Sequence, residues 1–174
     1  MLAVLCLLPM GCGPSIRVPS APLQSVQDGE LVRVRLDDWF EAVFPGKVND
    51  SVTDMPGTSG RFRARGLVSQ RNTMFAGIYA FESPQGWSAP KEKVVADMAK
   101  ASRRGVKLLK GAPLQQGQYA GADMTVEEAP HMLCRSKFFV GDTKAVIAIF
   151  CHDVSGADAA LFERVSEGFH MLGQ

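Results

Sequence analysis

An α+β domain, a largely antiparallel sheet with two packed helices, is the fold class this sequence predicts. Residues 60–81 alternate apolar and polar side chains with period two on either side of a polar turn, which is the pattern of a hairpin. Residues 94–102 switch to apolar positions at helical spacing, and four more strand-like segments follow before a second amphipathic stretch near the C-terminus. Strands joined by short polar turns pair antiparallel, and the helices must then pack on the sheet they form.

Length and composition set the bounds. The chain has 174 residues, 46% hydrophobic and 21% charged, which is enough apolar material for one core and too much for a disordered chain. With 19 Lys and Arg against 18 Asp and Glu, it lacks the basic excess that nucleic-acid binding requires.

The elements follow in order. Glu30–Leu36 sets Leu31, Val32, Val34 and Leu36 around Arg33 and Arg35 and reads as an edge strand. Asp38–Val48 is a short strand stopped at Pro45-Gly46, because proline lacks the ladder donor and glycine accepts turn angles. Gly60–Ser69 and Thr73–Phe81 form a hairpin around Gln70-Arg71-Asn72. In its first arm Phe62, Ala64 and Val68 share one face and Arg61, Arg63 and Arg65 the other, so this arm should have a buried and a wet side. The second arm is apolar on both faces, from Met74 to Phe81, and should be central. Ser88 as cap, Pro90 in the first turn and Gly105 at the stop bracket a helix burying Val94, Val95, Met98, Ala101 and Ser102. Its late Arg103 and Arg104 sit where the helix dipole favours cations. Strands are expected at Val106–Gln115, Gln118–Glu128, His131–Val140 and Lys144–His152. A closing helix from about Ala157 to Glu167, behind a Ser155 cap, buries Leu161, Phe162 and Val165, and the tail at Gly168–Leu172 returns as a short strand.

The N-terminus carries an address. Leu2–Leu8 is an uninterrupted apolar run, shorter than the ~20 residues that cross a bilayer and within the roughly 7–15 of a secretory signal. Gly11-Cys12 follows it, and the stretch resembles a bacterial lipoprotein signal, in which a small residue precedes the cysteine that is lipidated and becomes the first residue. The resemblance implies a signal peptide over 1–11 and lipidation at Cys12. Pro9 departs from it, since an aliphatic residue is usual three places before the cysteine. The positively charged leader is also missing, and a start codon upstream of Met1 would supply it. A plain signal peptide cut near residues 11–13 and a buried N-terminal strand or helix stand as alternatives. Residues 13–29, with three prolines and three serines, read as a flexible tether, so that 12–29 is anchor and spacer and 30–174 the single domain.

Two groups of residues invite chemistry. Cys134 and Cys151 lie on the two arms of the hairpin centred near Asp142, on one face of it. A four-residue connection sets them directly opposite and a two-residue turn sets them diagonal, and in either register a disulfide can form. Its loop of about 17 residues is worth roughly 3 kcal/mol on chain-entropy grounds; two buried free thiols are the alternative. A zinc site with His131 and His152 fails on geometry, because strand alternation sends both histidines to the face away from the thiols. The Arg61, Arg63, Arg65 stripe is a possible contact for an anionic surface, or simply a solvated strand face. No G-x-S-x-G elbow, H-E-x-x-H helix or phosphate loop occurs, so no residue is assigned a catalytic, cofactor or metal role.

A wider resemblance rests on the FPGK turn at Phe44–Lys47, the glycines Gly117 and Gly121 at a strand start, and the helix and strand from Phe162 to Phe169. These look like a widespread bacterial envelope domain similar in layout to the PsbP-like α/β/α sandwich, over about residues 38–172. The resemblance implies fold and compartment and transfers no activity. The expectation is a lipid-anchored protein of the bacterial cell envelope, on the outer membrane or the periplasmic face. It would act as a non-catalytic binding or assembly-assisting module, attached to the membrane by its anchor and meeting an unidentified protein or envelope polymer. The alternatives are a soluble secreted or periplasmic version, and a small envelope enzyme whose site forms only in three dimensions.

Overall fold

The computed structural model describes residues 16–57, 60–101, 106–129, 131–156 and 158–172. The predicted signal peptide, Cys12, and Ser102 to Gly105 lie outside the described residues. The described residues fold as two antiparallel sheets and two helices, the α+β class expected. The strands are β1 (Leu23–Asp28), β2 (Leu31–Leu36), β3 (Phe40–Phe44), β4 (Asn49–Gly57), β5 (Gly60–Arg71) and β6 (Met74–Glu82) before helix α1 (Lys91–Ala101). After it come β7 (Lys107–Gln116), β8 (Tyr119–Ala129), β9 (Met132–Val140), β10 (Lys144–Asp153), helix α2 (Ala159–Glu167) and β11 (His170–Met171). The larger sheet has the order β4-β5-β6-β10-β9-β8-β7 and the smaller β1-β2-β3-β11. From β6 the chain crosses one face as α1 to the far edge, then meanders back through β7, β8 and β9 until β10 closes on β6.

Both faces of the larger sheet are covered, and strand parity divides them. On β10, Val146, Ala148 and Phe150 join the core shared with the smaller sheet and α2, while Ala145, Ile147, Ile149 and Cys151 join the core under α1. β6 divides the same way, with Met74, Ala76, Ile78 and Ala80 on the first side and Phe75, Tyr79 and Phe81 on the second. This is the two-sided burial expected for that arm. Val94, Val95, Met98 and Ala99 of α1 complete the second core. In the first, the Phe169 ring stands 5.6 Å from Phe40 and 5.8 Å from Phe139, fastening the C-terminal segment.

Four expectations need correction. Leu31–Leu36 is not an edge strand, because β1 pairs outside it in the register Leu23↔Leu36 to Asp28↔Leu31. That strand lies inside the stretch expected to be a flexible tether. The segment before it is docked too: Arg17 and Glu82 exchange two backbone hydrogen bonds of 2.8 and 3.0 Å, and Pro19 is buried. The wet face of β5 extends only over Arg61 and Arg63, since Leu67 and Ser69 farther along it are buried under the smaller sheet. Ser155 does not cap α2. Its amide and hydroxyl donate to Asp153 at 2.8 and 2.6 Å, an Asx-type turn, and Asp158 takes the N-cap position. β4 was not anticipated at all.

Two glycines at the start of β8 have structural causes. Gly117 adopts φ +56° in the β7–β8 turn, a left-handed value that glycine reaches without strain. At Gly121 an added Cβ would lie 2.5 Å from the Phe138 carbonyl oxygen and 3.0 Å from the Phe139 ring. Gly121→Ala should therefore cost about 1–3 kcal/mol in chemical denaturation, and an unchanged midpoint would contradict the close approach of β8 to β9.

Candidate functional site

The hairpin of β9 and β10 turns through a four-residue connection, Gly141 donating to the Lys144 carbonyl at 2.8 Å, and so sets Cys134 opposite Cys151. The two are joined by a disulfide, with Cα atoms 4.1 Å apart and the pair buried beneath the α1 layer. A register shift between Glu127 and Ala129 marks a bulge on β8. Such a bulge re-aims a side chain, and Glu128 lies with Oε2 3.4 Å from Cys134 Sγ. No sequence signal pointed to that carboxylate, since bulges follow from pairing rather than composition. His152 faces the other core, its ring 4.2 Å from Phe162, and His131 sits in the turn before β9. Among the described residues the atoms of ligand type grouped with the two sulfurs come from Glu128, and both sulfurs are committed to each other.

The arginine stripe separates into unlike members. Arg65 is only 14% exposed: it makes hydrogen bonds of 3.0 and 2.7 Å to the two oxygens of Asp50 and donates to the Ala21 carbonyl. It is an internal clamp between β4 and the N-terminal segment. Arg61 and Arg63 remain exposed, and Arg61 also donates to the Asp54 carbonyl at 3.2 Å. Identical residue types at period two gave no hint of this division, because Asp50 and Ala21 are brought in by other strands.

Three ionisable groups with shifted pKa values, Arg135, Lys137 and Glu167, lie where the C-terminus of α2 meets β9. The Arg135 guanidinium forks onto Asp123, with Nη2 at 2.5 Å, and its Nη1 reaches Glu167 at 2.7 Å. Lys137, buried, donates to the Ser166 carbonyl at 2.6 Å. The bond to Asp123 holds Arg135 charged against its burial, while burial and then the Arg135 charge lower the Lys137 pKa. The bond and charge of Arg135 lower Glu167 in turn. Strand alternation puts Arg135 and Lys137 on the face of β9 opposite Cys134 and Phe138. Here α2 covers that face, and at its negative dipole end Lys137 meets a terminal carbonyl while Arg135 meets the last side chains. A recess of about 450 Å³ opens beside them between Leu114, Asp123, Leu133 and Glu163. A shallower groove of about 530 Å³ runs between α1 and β7–β8, lined by Val95, Ala99, Ala112, Pro113 and Ala122.

Trp39 is buried, with the Lys144 ammonium 5.0 Å above its ring, and Trp87 donates from Nε1 to the Gly141 carbonyl at 2.7 Å. Among the described residues no helix is long and apolar enough to cross a membrane.

No family model matches the chain, and no curated protein matches it. Among solved structures it is similar to cyanobacterial PsbP (CyanoP) from Synechocystis sp. PCC 6803, at 13% identity and a TM-score of 0.46, over 88% of this chain and 94% of that one.

Two outcomes check these assignments. Arg65→Gln should destabilise the protein by about 1–3 kcal/mol, the range for hydrogen bonds to charged groups, while Arg63→Gln should stay within about 0.5 kcal/mol; equal effects in urea denaturation would refute the division. Glu167 has a lowered folded pKa, so its contribution is present above the ordinary carboxylate range and is lost as pH falls through the folded value. Glu167→Gln should then lose under about 1 kcal/mol at neutral pH, because the side chain is mostly exposed. The gap to the parent should close on acidification below pH ~4, and a gap that persists in acid would refute the pairing.

Proposed function

We propose that this chain is a bacterial cell-envelope protein, held to a membrane through a lipid on Cys12 and serving as a non-catalytic binding or assembly-assisting module. The observation that carries the proposal is the Cys134–Cys151 disulfide, because disulfides persist in oxidising compartments and are rare in the cytosol. The apolar run Leu2–Leu8 followed by Gly11-Cys12 supports the same compartment and supplies the attachment. Two acyl chains hold a protein to a bilayer where one does not. The PsbP-like layout belongs to the proposal as well, on the Phe44–Lys47 turn and the glycines at 117 and 121. The reading as a module rather than an enzyme rests on what the perturbed groups touch. Arg135 and Lys137 are engaged by Asp123, Glu167 and the end of α2, so their shifts follow from packing a helix on a sheet.

Intact mass of the protein from its native host, alkylated without reduction, tests the attachment. The expected mass starts at Cys12 with diacylglycerol added and Cys134 and Cys151 unlabelled, and Cys12→Ala should move the protein from the membrane to the soluble fraction. A mass that retains residues 1–11 without lipid, or a Cys12→Ala protein that stays on membranes, would overturn the proposal.

A further inference from the structure

We infer that the domain rests on the bilayer through one defined face, formed by Arg17, Val52, Arg61 and Arg63, and that its partner there is the anionic headgroup layer of the membrane. This inference rests on the lipid anchor at Cys12.

Its first support is how early the chain is captured. Arg17 is bound on both its backbone groups to Glu82, and Ile16 packs against the core under α1. The pairing Arg65↔Ala80, continued by two residues, would set Arg63 beside Glu82, and Arg17 stands in that place. Five residue steps, with four residues between, separate Cys12 from Arg17. At 3.3–3.6 Å per residue they span at most ~18 Å, less than the length of a domain strand such as β5. A lipid on Cys12 therefore cannot leave the domain free to tumble, and the surface around Arg17 must lie close to the membrane.

The second support is what that surface presents. Directly opposed residues of an antiparallel pair point to one face of the sheet, so Arg17 shares the side of Glu82 and Ala80. On β5 the same side carries Arg61, Arg63 and Arg65, and on β4 it carries Asp50, Val52 and Asp54, opposite Leu67, Arg65 and Arg63. Arg65 and Asp50 satisfy each other. What remains is three exposed arginines against Asp54 and Glu82, around a Val52 side chain that is 48% exposed. Guanidinium groups beside a small apolar projection suit a phosphate-rich interface, where cations gain from the surface potential and an apolar side chain can leave water. The anchor's short reach selects a membrane over a soluble polyanion as the source of those phosphates.

The test uses the mature lipidated chain carrying Val52→Cys or, separately, Val154→Cys. Val154 is 51% exposed in the turn after β10, at the end of the larger sheet away from Glu82. Each is reconstituted into phosphatidylcholine vesicles with about one third phosphatidylglycerol, or without it, and treated with a membrane-impermeant maleimide. The same variants with Cys12→Ala, free in solution, give the reference rates. The expected result is modification at Val52→Cys slowed at least about fivefold on anionic vesicles, with Val154→Cys unchanged. Adding Arg61→Gln and Arg63→Gln should restore the solution rate. Equal reactivity at both positions, or the same protection on pure phosphatidylcholine, would overturn the inference. Flotation of the same samples reads the anchor by itself. A lipidated chain that floats with Val52→Cys unprotected sinks the docking face alone, whereas a lipidated chain that does not float sinks the anchor and the face together.

Discussion

The burial of β10 on both faces is the constraint from which the rest of the structure follows. From Ala145 to His152 every side chain is buried, alternating between two cores. A strand in that position must be apolar at odd and even positions alike, and it must have a layer on each side. One layer is α1 with the sheet's own α1-facing side chains. The other cannot be a second helix alone, because α2 is only nine residues long. The smaller sheet supplies the missing cover, which is why Val34, Leu36, Phe40, Ala42 and Phe44 are all fully buried. β1 in turn shields the outer edge of β2, so the N-terminal segment belongs to the fold and not to a spacer.

The clamp at α2 solves a second problem of the same layer. A short helix lying on a sheet exposes its last carbonyls to a surface that is mostly apolar, and unsatisfied carbonyls there are costly. β9 places Arg135 and Lys137 two residues apart on the covered face, one bonding the helix's terminal side chains and the other its backbone. Asp123 from β8 compensates the guanidinium. Lysine in such a place loses hydration, and its lowered pKa records that cost. The arrangement accounts for a charged, perturbed cluster without any substrate.

Most of the larger sheet was legible because its strands carry their own evidence. Thr73–Phe81 and Lys144–His152 are apolar runs bounded by polar turns, His131–Val140 keeps one apolar face, and the disulfide followed from the parity of Cys134 and Cys151 in a hairpin. The parts that were not legible are those whose stability comes from elsewhere. Of the described side chains in β1 (LQSVQD) and β4 (NDSVTDMPG), only Met55 is buried; they are strands because β2 and β5 offer them a ladder. Backbone pairing has no signature in side-chain pattern, and the same is true of Arg17 on Glu82. Arg65 departs from the other two arginines of the stripe for a related reason. Whether Arg65 is solvated depends on Asp50 and Ala21, which no local window contains. Ser155 is a cap by residue type, but Asp153 takes its amide and hydroxyl and Asp158 holds the N-cap position.

The position of the disulfide within its hairpin bears on how it acts. The turn lies at Gly141–Lys144, and the cysteines sit near the other end of the paired region, with His152↔Leu133 and Asp153↔Met132 beyond them. The ring the bond closes is therefore almost wholly ladder in the folded protein. Native contacts inside it are already made by β6 on one side and β8 on the other, so the bond gains little by adding order to the folded state. Its effect falls on the unfolded chain, which is denied the freedom of the seventeen-residue separation. A bond that works in this way does nothing in a compartment where it cannot form, and there Glu128 would lie beside two buried thiols instead.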